Sequence, residues 1–528
     1  MPTLFSLLPI ALLIVLMTKK NSMPSFKALP LVALLLYLLK LAYFGFDANL
    51  VNATVFSGLL TAWTPILIVW GAIFMFKTME YTGAMDTIRC WLNSITTNRV
   101  AQLMIIGWSF AFLIEGASGF GTPAAIAAPI LVGLGFPAVR VAILCLIMNS
   151  VPVSFGAVGT PTWFGLGQLG LSSAELSVIG IETAVLHGAA AMVIPVIALI
   201  FALSLAEVRR NLLFIYLSIL SCVVPYVLLA RLNYEFPSVV GGAIGLTLSV
   251  FFALRGIGLE RDDDTGNHQG VAASALIKAT FPLWGTVGLL LVTRINQLGI
   301  KPLLVATEPS WDLSLGSLAN LHISSSLVIS LANLFGSSVS WKFQLLYVPA
   351  LIPFFVISMV TFILFASPFA LVEKTFSESA RQMQKPIIAL LGALVFVKLL
   401  MLGTPDNSAN TILIGKALAD TFGHQWQFFA SYLGALGAFF SGSNTVSNLT
   451  FGGIQLSIAK DLGLSPSTIL AYQSVGGAMG NMTCIHNIVA VCSVLGISAE
   501  EGFILKRTVV PMVLYGVIVA IVGNLFLA

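Results

Sequence analysis

Two short segments combine glycine with hydroxyl and amide side chains inside otherwise apolar sequence: Glu115-Gly-Ala-Ser-Gly-Phe-Gly-Thr-Pro123 and Ser441-Gly-Ser-Asn-Thr-Val-Ser-Asn448. In lipid an unpaired backbone group costs several kcal/mol, so a helix broken at membrane depth persists only where it faces protein or a water-filled cavity. Each segment therefore reads as a hairpin tip that presents a helix N-terminus, at Thr122-Pro123 and near Asn448. Free N–H groups and the positive end of the helix dipole attract an anion there, and Pro123 suits the first helical position because it has no N–H to leave unpaired. Breaks at Gly156 to Pro161 and Gly476 to Asn487 add two facing elements. Together the four enclose a small carboxylate with little help from arginine. If the glycines served only close helix packing, Thr, Asn and Ser would not need to cluster beside Pro.

The ionisable residues narrow the chemistry, because a charge at the bilayer centre costs roughly 2.5 to 3.5 kcal/mol even on the lenient scale. Glu115 follows Phe110-Ala-Phe-Leu-Ile114 and opens the first tip, so it reads as a carboxyl that takes up a proton and loses it when the site reorients. His486 and Asn487 fall in the second broken span and read as site residues, with His486 a second proton candidate. His187 reads as a satisfied core histidine, Arg140 as an anchor at the end of a span, and Asp406 and Asp420 as solvated loop residues. The wall of the site is expected from Ser118, Gly119, Gly121, Thr122, Asn149, Ser443, Asn444, Thr445, Asn481 and Asn487.

Such a site needs a membrane around it, and composition supplies one. Of 528 residues 58% are apolar and 9% charged, against about 25% charged in a soluble domain, and the mean hydropathy is +0.99. With roughly 20 residues per crossing, the chain is an all-α polytopic membrane protein of about twelve spans. No stretch is long and polar enough for a separate soluble domain, and the net charge of +4 resides in loop Lys and Arg, which marks topology and not nucleic-acid binding. The five cysteines lack metal-ligand spacing, so neither metal nor cofactor is expected. The apolar run from Thr3 to Met17 has no basic region before it or cleavage site after it, and reads as a retained first helix.

Placing Lys and Arg on the cytoplasmic side orders the spans. Lys19, Lys20 and Lys27 put the N-terminus outside, and spans near 28 to 46 and 56 to 76 return to Lys77, Arg89 and Arg99. A hairpin near 101 to 136 then enters and leaves on the inner side, and a broken span from about 138 to 170 follows. Spans near 177 to 205, 212 to 231 and 237 to 254 lead to an inner loop at 256–275 that holds Arg261-Asp-Asp-Asp264 and divides a first half, 1–255, from a second, 276–528. The second half has spans near 276 to 293, 347 to 367 and 386 to 402, an outer hairpin near 426 to 463, a broken span near 465 to 497 and a last helix that leaves the C-terminus outside. Two re-entrant hairpins opening to opposite faces are the mark of inverted repeats. Short matches keep the same order in both halves: Gly119-Phe-Gly-Thr122 with Gly442-Ser-Asn-Thr445, Asn149-Ser-Val151 with Gln473-Ser-Val475, and Gly156-Ala-Val-Gly159 with Gly477-Ala-Met-Gly480. Residues 294–341, with the polar stretch Ser324 to Ser340, fit either a surface loop or a third insertion.

Glu115 to Pro123, Leu131-Val-Gly-Leu-Gly-Phe136, Leu144-Cys-Leu-Ile-Met-Asn149, Phe155-Gly-Ala-Val-Gly159 and Gly442 to Asn448 together resemble the lactate permease family, over nearly the whole chain and in order. That resemblance implies a carrier of L-lactate, D-lactate or glycolate in the bacterial cytoplasmic membrane, driven by proton symport. The family pattern has Gly-Ser-Asp-Thr at the second tip, where this chain has Asn444, and Gly-Lys-Met with Pro-Gln soon after, where this chain reads Gly480-Asn-Met482 and Ile485-His486. Proton coupling then rests on Glu115 or His486, and the ligand widens to small monocarboxylates.

The sequence thus predicts a secondary transporter importing a small monocarboxylate with a proton, one repeat moving against the other. The partners expected are the carboxylate, the proton and the lipid bilayer. Alternatives are a carrier of another small organic anion coupled to sodium, and an anion channel with the hairpins as a static filter. A membrane enzyme would need a nucleophile with a base, or clustered metal ligands, at one depth, and five scattered histidines do not supply either. Gly116-Ala-Ser-Gly-Phe-Gly121 lacks the βαβ unit that a nucleotide-binding reading requires.

Overall fold

The computed structural model describes residues 2–18, 23–119, 122–260, 271–294, 299–348, 351–497 and 500–527. Lys19, Lys20, Gly121 and the Arg261-Asp-Asp-Asp264 loop lie outside these residues, as do the side chains of Ser118, Thr122 and His486. The fold is mostly helical, and among the described residues eight helices are long and apolar enough to cross a membrane. A further pair, Ala138–Met148 and Val151–Leu169, bends by 45° at the position expected for the first broken span.

The chain forms two compact units, and neither is a sequence half. Met1–Thr82 with Phe281–Thr421 makes one, and Gly83–Thr280 with Phe422–Ala528 the other. Each draws one stretch from either side of the 256–275 loop.

The first unit holds the only strands among the described residues. An antiparallel sheet in the order β1 (Ser310–Ser314), β2 (Asn320–Ser324), β3 (Val328–Ala332), β4 (Trp341–Gln344) occupies most of the segment that the sequence left open, and it is the exception to an all-α fold. Its register pairs Trp311 with Ile323, Leu321 with Leu331 and Ile329 with Phe343. One face is thus apolar throughout, as period-two alternation requires. Leu334 and Ala319 bury that region against Ala53 of the helix Ala48–Thr61.

The second unit holds every described residue expected at the site. Its first hairpin has an arm Arg99–Ser118, π-helical over Leu103–Phe110, and a return helix Thr122–Gly133. Its second has arms Trp426–Ser441 and Asn444–Leu462, zipped by Ser447 Oγ donating to Gly434 O at 2.6 Å and Gln455 Nε2 donating to Ala430 O at 2.8 Å. Small residues let backbones touch. A Cβ on Gly476 would lie 1.9 Å from Ser431 O, and one on Gly480 2.3 Å from Ala435 O. The expected break at Gly476 therefore does not occur. The helix Pro466–Gly480 runs through these glycines, which serve close packing as in other membrane helices, and breaks only at the 3₁₀ turn Asn481–Thr483.

Candidate substrate site

Glu115 lies near the end of the first arm and is 1% exposed. Asn149 Nδ2 donates to its Oε2 at 3.0 Å, and its Oε1 rests against Gly156, where a Cβ would stand 2.6 Å away. No ion pair among the described residues involves Glu115. The chain leaves this arm at Gly119, whose φ of 64° and ψ of −159° only glycine takes without strain.

Opposite Glu115 the bent span is broken as the sequence predicts, by three consecutive left-handed residues, Ala157, Val158 and Gly159, with φ of 44°, 55° and 70°. Two of them carry a Cβ, so each costs roughly 1 to 2 kcal/mol relative to a right-handed residue. Packing supplies the compensation. Gly159 is pressed onto Tyr234 and Glu235, where a Cβ would meet Tyr234 O at 2.3 Å, and Trp163 Nε1 donates to Val158 O at 3.0 Å.

The second tip turns at Gly442, φ 71°, and the new helix begins at Asn444, one turn earlier than the sequence suggested. Ser443 is its N-cap and accepts from Val446 N–H at 3.3 Å. The N–H groups of Asn444 and Thr445 precede the first intrahelical bond, so the helix itself gives them no acceptor. Asn448 is a full turn inside, donating to Pro161 O at 3.0 Å.

These pieces surround one cavity of about 20 Å³, lined by Glu115, Gly119, Val153, Gly156, Ala157, Pro161, Gly442, Ser443, Asn444, Thr445 and Asn481. That volume holds about one water. Glu115, Gly119, Ser443, Asn444, Thr445 and Asn481 are thus brought together as expected. Asn149 and Asn487 stand behind the wall, Asn149 bonded to Glu115 and Asn487 to Asn481. Arg140 is exposed and outside the cavity, and Asp406 and Asp420 are exposed.

Sequence reasoning missed Ser154. Its Oγ lies 3.2 Å from Asn444 Nδ2, 3.1 Å from both Ser474 Oγ and Ser474 O, and 2.8 Å from His187 Nε2. Its place between the aligned blocks Asn149-Ser-Val151 and Gly156-Ala-Val-Gly159 was the one available signal. His187 is fully buried with both ring nitrogens bonded, as expected of a core histidine, but its partner is this serine.

Broken helices that enclose a small polar cavity, with no Lys or Arg among its described lining residues, inside an apolar helical fold are the architecture of a membrane transport protein. Residues 2–528 match the family described as L-lactate permease. A putative L-lactate permease of Haemophilus influenzae is 52% identical over 99% of this chain and 98% of its own length. The L-lactate permease of Escherichia coli K12 is 26% identical over 94% of this chain and 89% of its own, and the glycolate permease GlcA of the same strain is 26% identical over 87% and 84%. The chain belongs to the L-lactate permease family.

Proposed function

We propose that this permease imports a small monocarboxylate of the lactate or glycolate kind together with a proton, across the bacterial cytoplasmic membrane and by alternating access. One observation carries the reading: Glu115 lines one cavity of about 20 Å³ with Asn444 and Thr445, whose N–H groups have no acceptor within their own helix. A carboxylate bound to those N–H groups sits beside the Glu115 carboxyl, and two adjacent negative charges repel strongly. The anion enters when Glu115 is protonated, and linkage makes the effect mutual. His486, at the start of the helix Ile485–Leu495 that follows the Asn481–Thr483 turn, is the second proton candidate. The inverted repeats, with re-entrant hairpins opening to opposite faces and both termini outside, belong to this proposal too.

Movement of one repeat against the other, the simplest expectation from the sequence, would break the bonds from Asn444 and Ser474 to Ser154 and from Asn448 to Pro161. We therefore take access to change with this junction intact. A three-carbon acid is larger than a water, so the walls part to admit it.

The test is uptake of radiolabelled L-lactate into proteoliposomes under an inward proton gradient, with glycolate, pyruvate, acetate and small sulfonates as competitors. Accumulation abolished by an uncoupler supports the proposal. Accumulation that follows an imposed sodium gradient instead points to the other cation, and equilibration without accumulation points to a channel.

A further inference from the structure

The buried chain behind Asn444 assigns a role to a residue that does not touch the cavity. We propose that His187, held by Tyr515, is a positioning residue of the transport site: through Ser154 it fixes the amide of Asn444 and so the first turn of the helix that offers its N–H groups. This rests on the proposed function.

Counting protons and lone pairs carries the argument. His187 Nδ1 lies 2.6 Å from Tyr515 Oη and its Nε2 2.8 Å from Ser154 Oγ, with His187, Tyr515 and Ser154 all fully buried. Ser154 has one proton and two lone pairs. Asn444 Nδ2 can only donate to it, and Ser474 O can only accept from it. If Ser154 gives its proton to His187 Nε2, the ring carries its hydrogen on Nδ1 and donates to Tyr515. If the ring instead donates to Ser154 from Nε2, Tyr515 donates to Nδ1, Ser154 gives its proton to Ser474 O, and the ring and Asn444 fill its two lone pairs, so that Ser474 Oγ, 3.1 Å away, turns its proton elsewhere. Asn444 is a donor in both arrangements, to Ser154 and to Ser474 O at 3.0 Å. Its Oδ1 is left against Gly477, where a Cβ would lie 1.9 Å from it. The amide nitrogen of Asn444 is thus tied back into the protein at Ser154 and Ser474. Without His187, Ser154 loses its shortest hydrogen bond, 2.8 Å against 3.1 to 3.2 Å for the others, and the tie between Asn444 and the bent span slackens.

His187→Ala is expected to raise the KM for lactate uptake about tenfold, the order of one or two lost buried hydrogen bonds, with the maximal rate per folded protein little changed. His187→Gln, whose amide reaches the place of Nε2, restores the KM. His187→Asn reaches only the place of Nδ1 and does not. Tyr515→Phe is the mild variant, with a smaller rise in KM, and serves if His187→Ala fails to fold. In a Ser154→Ala background the effect of His187→Ala disappears. A wild-type protein that takes up no carboxylate in the panel defeats the proposed function and this inference together. Where wild type transports lactate, unchanged KM values in His187→Ala and Tyr515→Phe, equal rescue by Gln and Asn, or a His187→Ala effect that persists without Ser154 overturns this inference alone.

Discussion

Glu115→Gln separates anion binding from proton coupling, and the structure fixes what each should do. The substitution keeps the shape and the hydrogen bond, because a glutamine carbonyl accepts from Asn149 Nδ2 as the carboxylate does at 3.0 Å. It removes the only ionisable group among the described residues that line a cavity of about 20 Å³. In so small a space the substrate carboxylate comes within about 4 Å of position 115, where two unit charges at an effective dielectric constant of about 20 repel by about 4 kcal/mol, near a thousandfold in affinity. Wild type should therefore bind lactate progressively more weakly as pH rises and Glu115 ionises. Glu115→Gln should bind with the same affinity at every pH, at the level of acidic wild type. Its lactate–lactate exchange in proteoliposomes should continue, while accumulation driven by a proton gradient should vanish. Gradient-driven accumulation by Glu115→Gln would refute the assignment. Exchange by the variant with the pH dependence of wild type would refute the charge argument beneath it.

Asn444 donates to Ser474 O, a pure acceptor, so Asn444→Asp fits only when protonated. An ionised, unpaired carboxylate there costs about 3 to 5 kcal/mol, and uptake should persist at acid pH and fail toward alkaline pH; an unchanged pH profile counts against the geometry. A Cβ on Gly165 would lie 3.1 Å from Asn448 Cβ, just under the roughly 3.5 to 4.5 Å of disulfides. Gly165→Cys with Asn448→Cys should cross-link the bent span to the helix Asn444–Leu462 on oxidation and leave uptake equal to that of the reduced protein, whereas loss on oxidation with recovery on reduction would show that these two elements separate during transport. Asn481→Lys places a cation on the same wall as Glu115. It should hold Glu115 ionised and weaken proton-driven accumulation, and Asn444→Asp added to it should restore coupling in part; a double variant worse than either single one argues against this.

The hairpin tips were legible because they violate their surroundings: Glu115, Asn444 and Thr445 stand out in apolar sequence, and glycines beside them mark where a helix stops. The same cue misled at Gly476 and Gly480, since glycine breaks a helix or lets another backbone approach, and only the contact with Ser431 O and Ala435 O distinguishes the two. Ser154 carries no motif, and its meeting with Ser474, 320 residues away, is a property of the folded chain. The sheet was legible in principle. Trp311 and Leu313, Leu321 and Ile323, Ile329 and Leu331, and Trp341 and Phe343 alternate with other residues at period two, a signal masked by the Ser, Asn and Gly content, which fits a loop or an insertion equally.

The two departures from the family pattern are best understood as one. Where the resemblance implies an aspartate and a lysine, this chain has Asn444 and Asn481, and both line the same cavity. An acid and a base side by side sum to zero charge, as do two amides. The exchange removes a pair without altering the net charge of the site, so neither departure by itself argues for a different ligand. It does alter the distribution of labour. With no lysine to meet the substrate carboxylate, the proposed site holds the anion by the N–H groups of Asn444 and Thr445. Those groups attract only as well as the turn at Ser443 is held, and the neutral tie from Asn444 to Ser154 and Ser474 holds it. An aspartate at 444 would have one proton to donate, enough for Ser474 O, and only while protonated, making the grip on the anion vary with pH. The amide makes that grip constant and leaves Glu115, among the described residues that line the cavity, as the one group whose charge a proton must neutralise before the anion can bind.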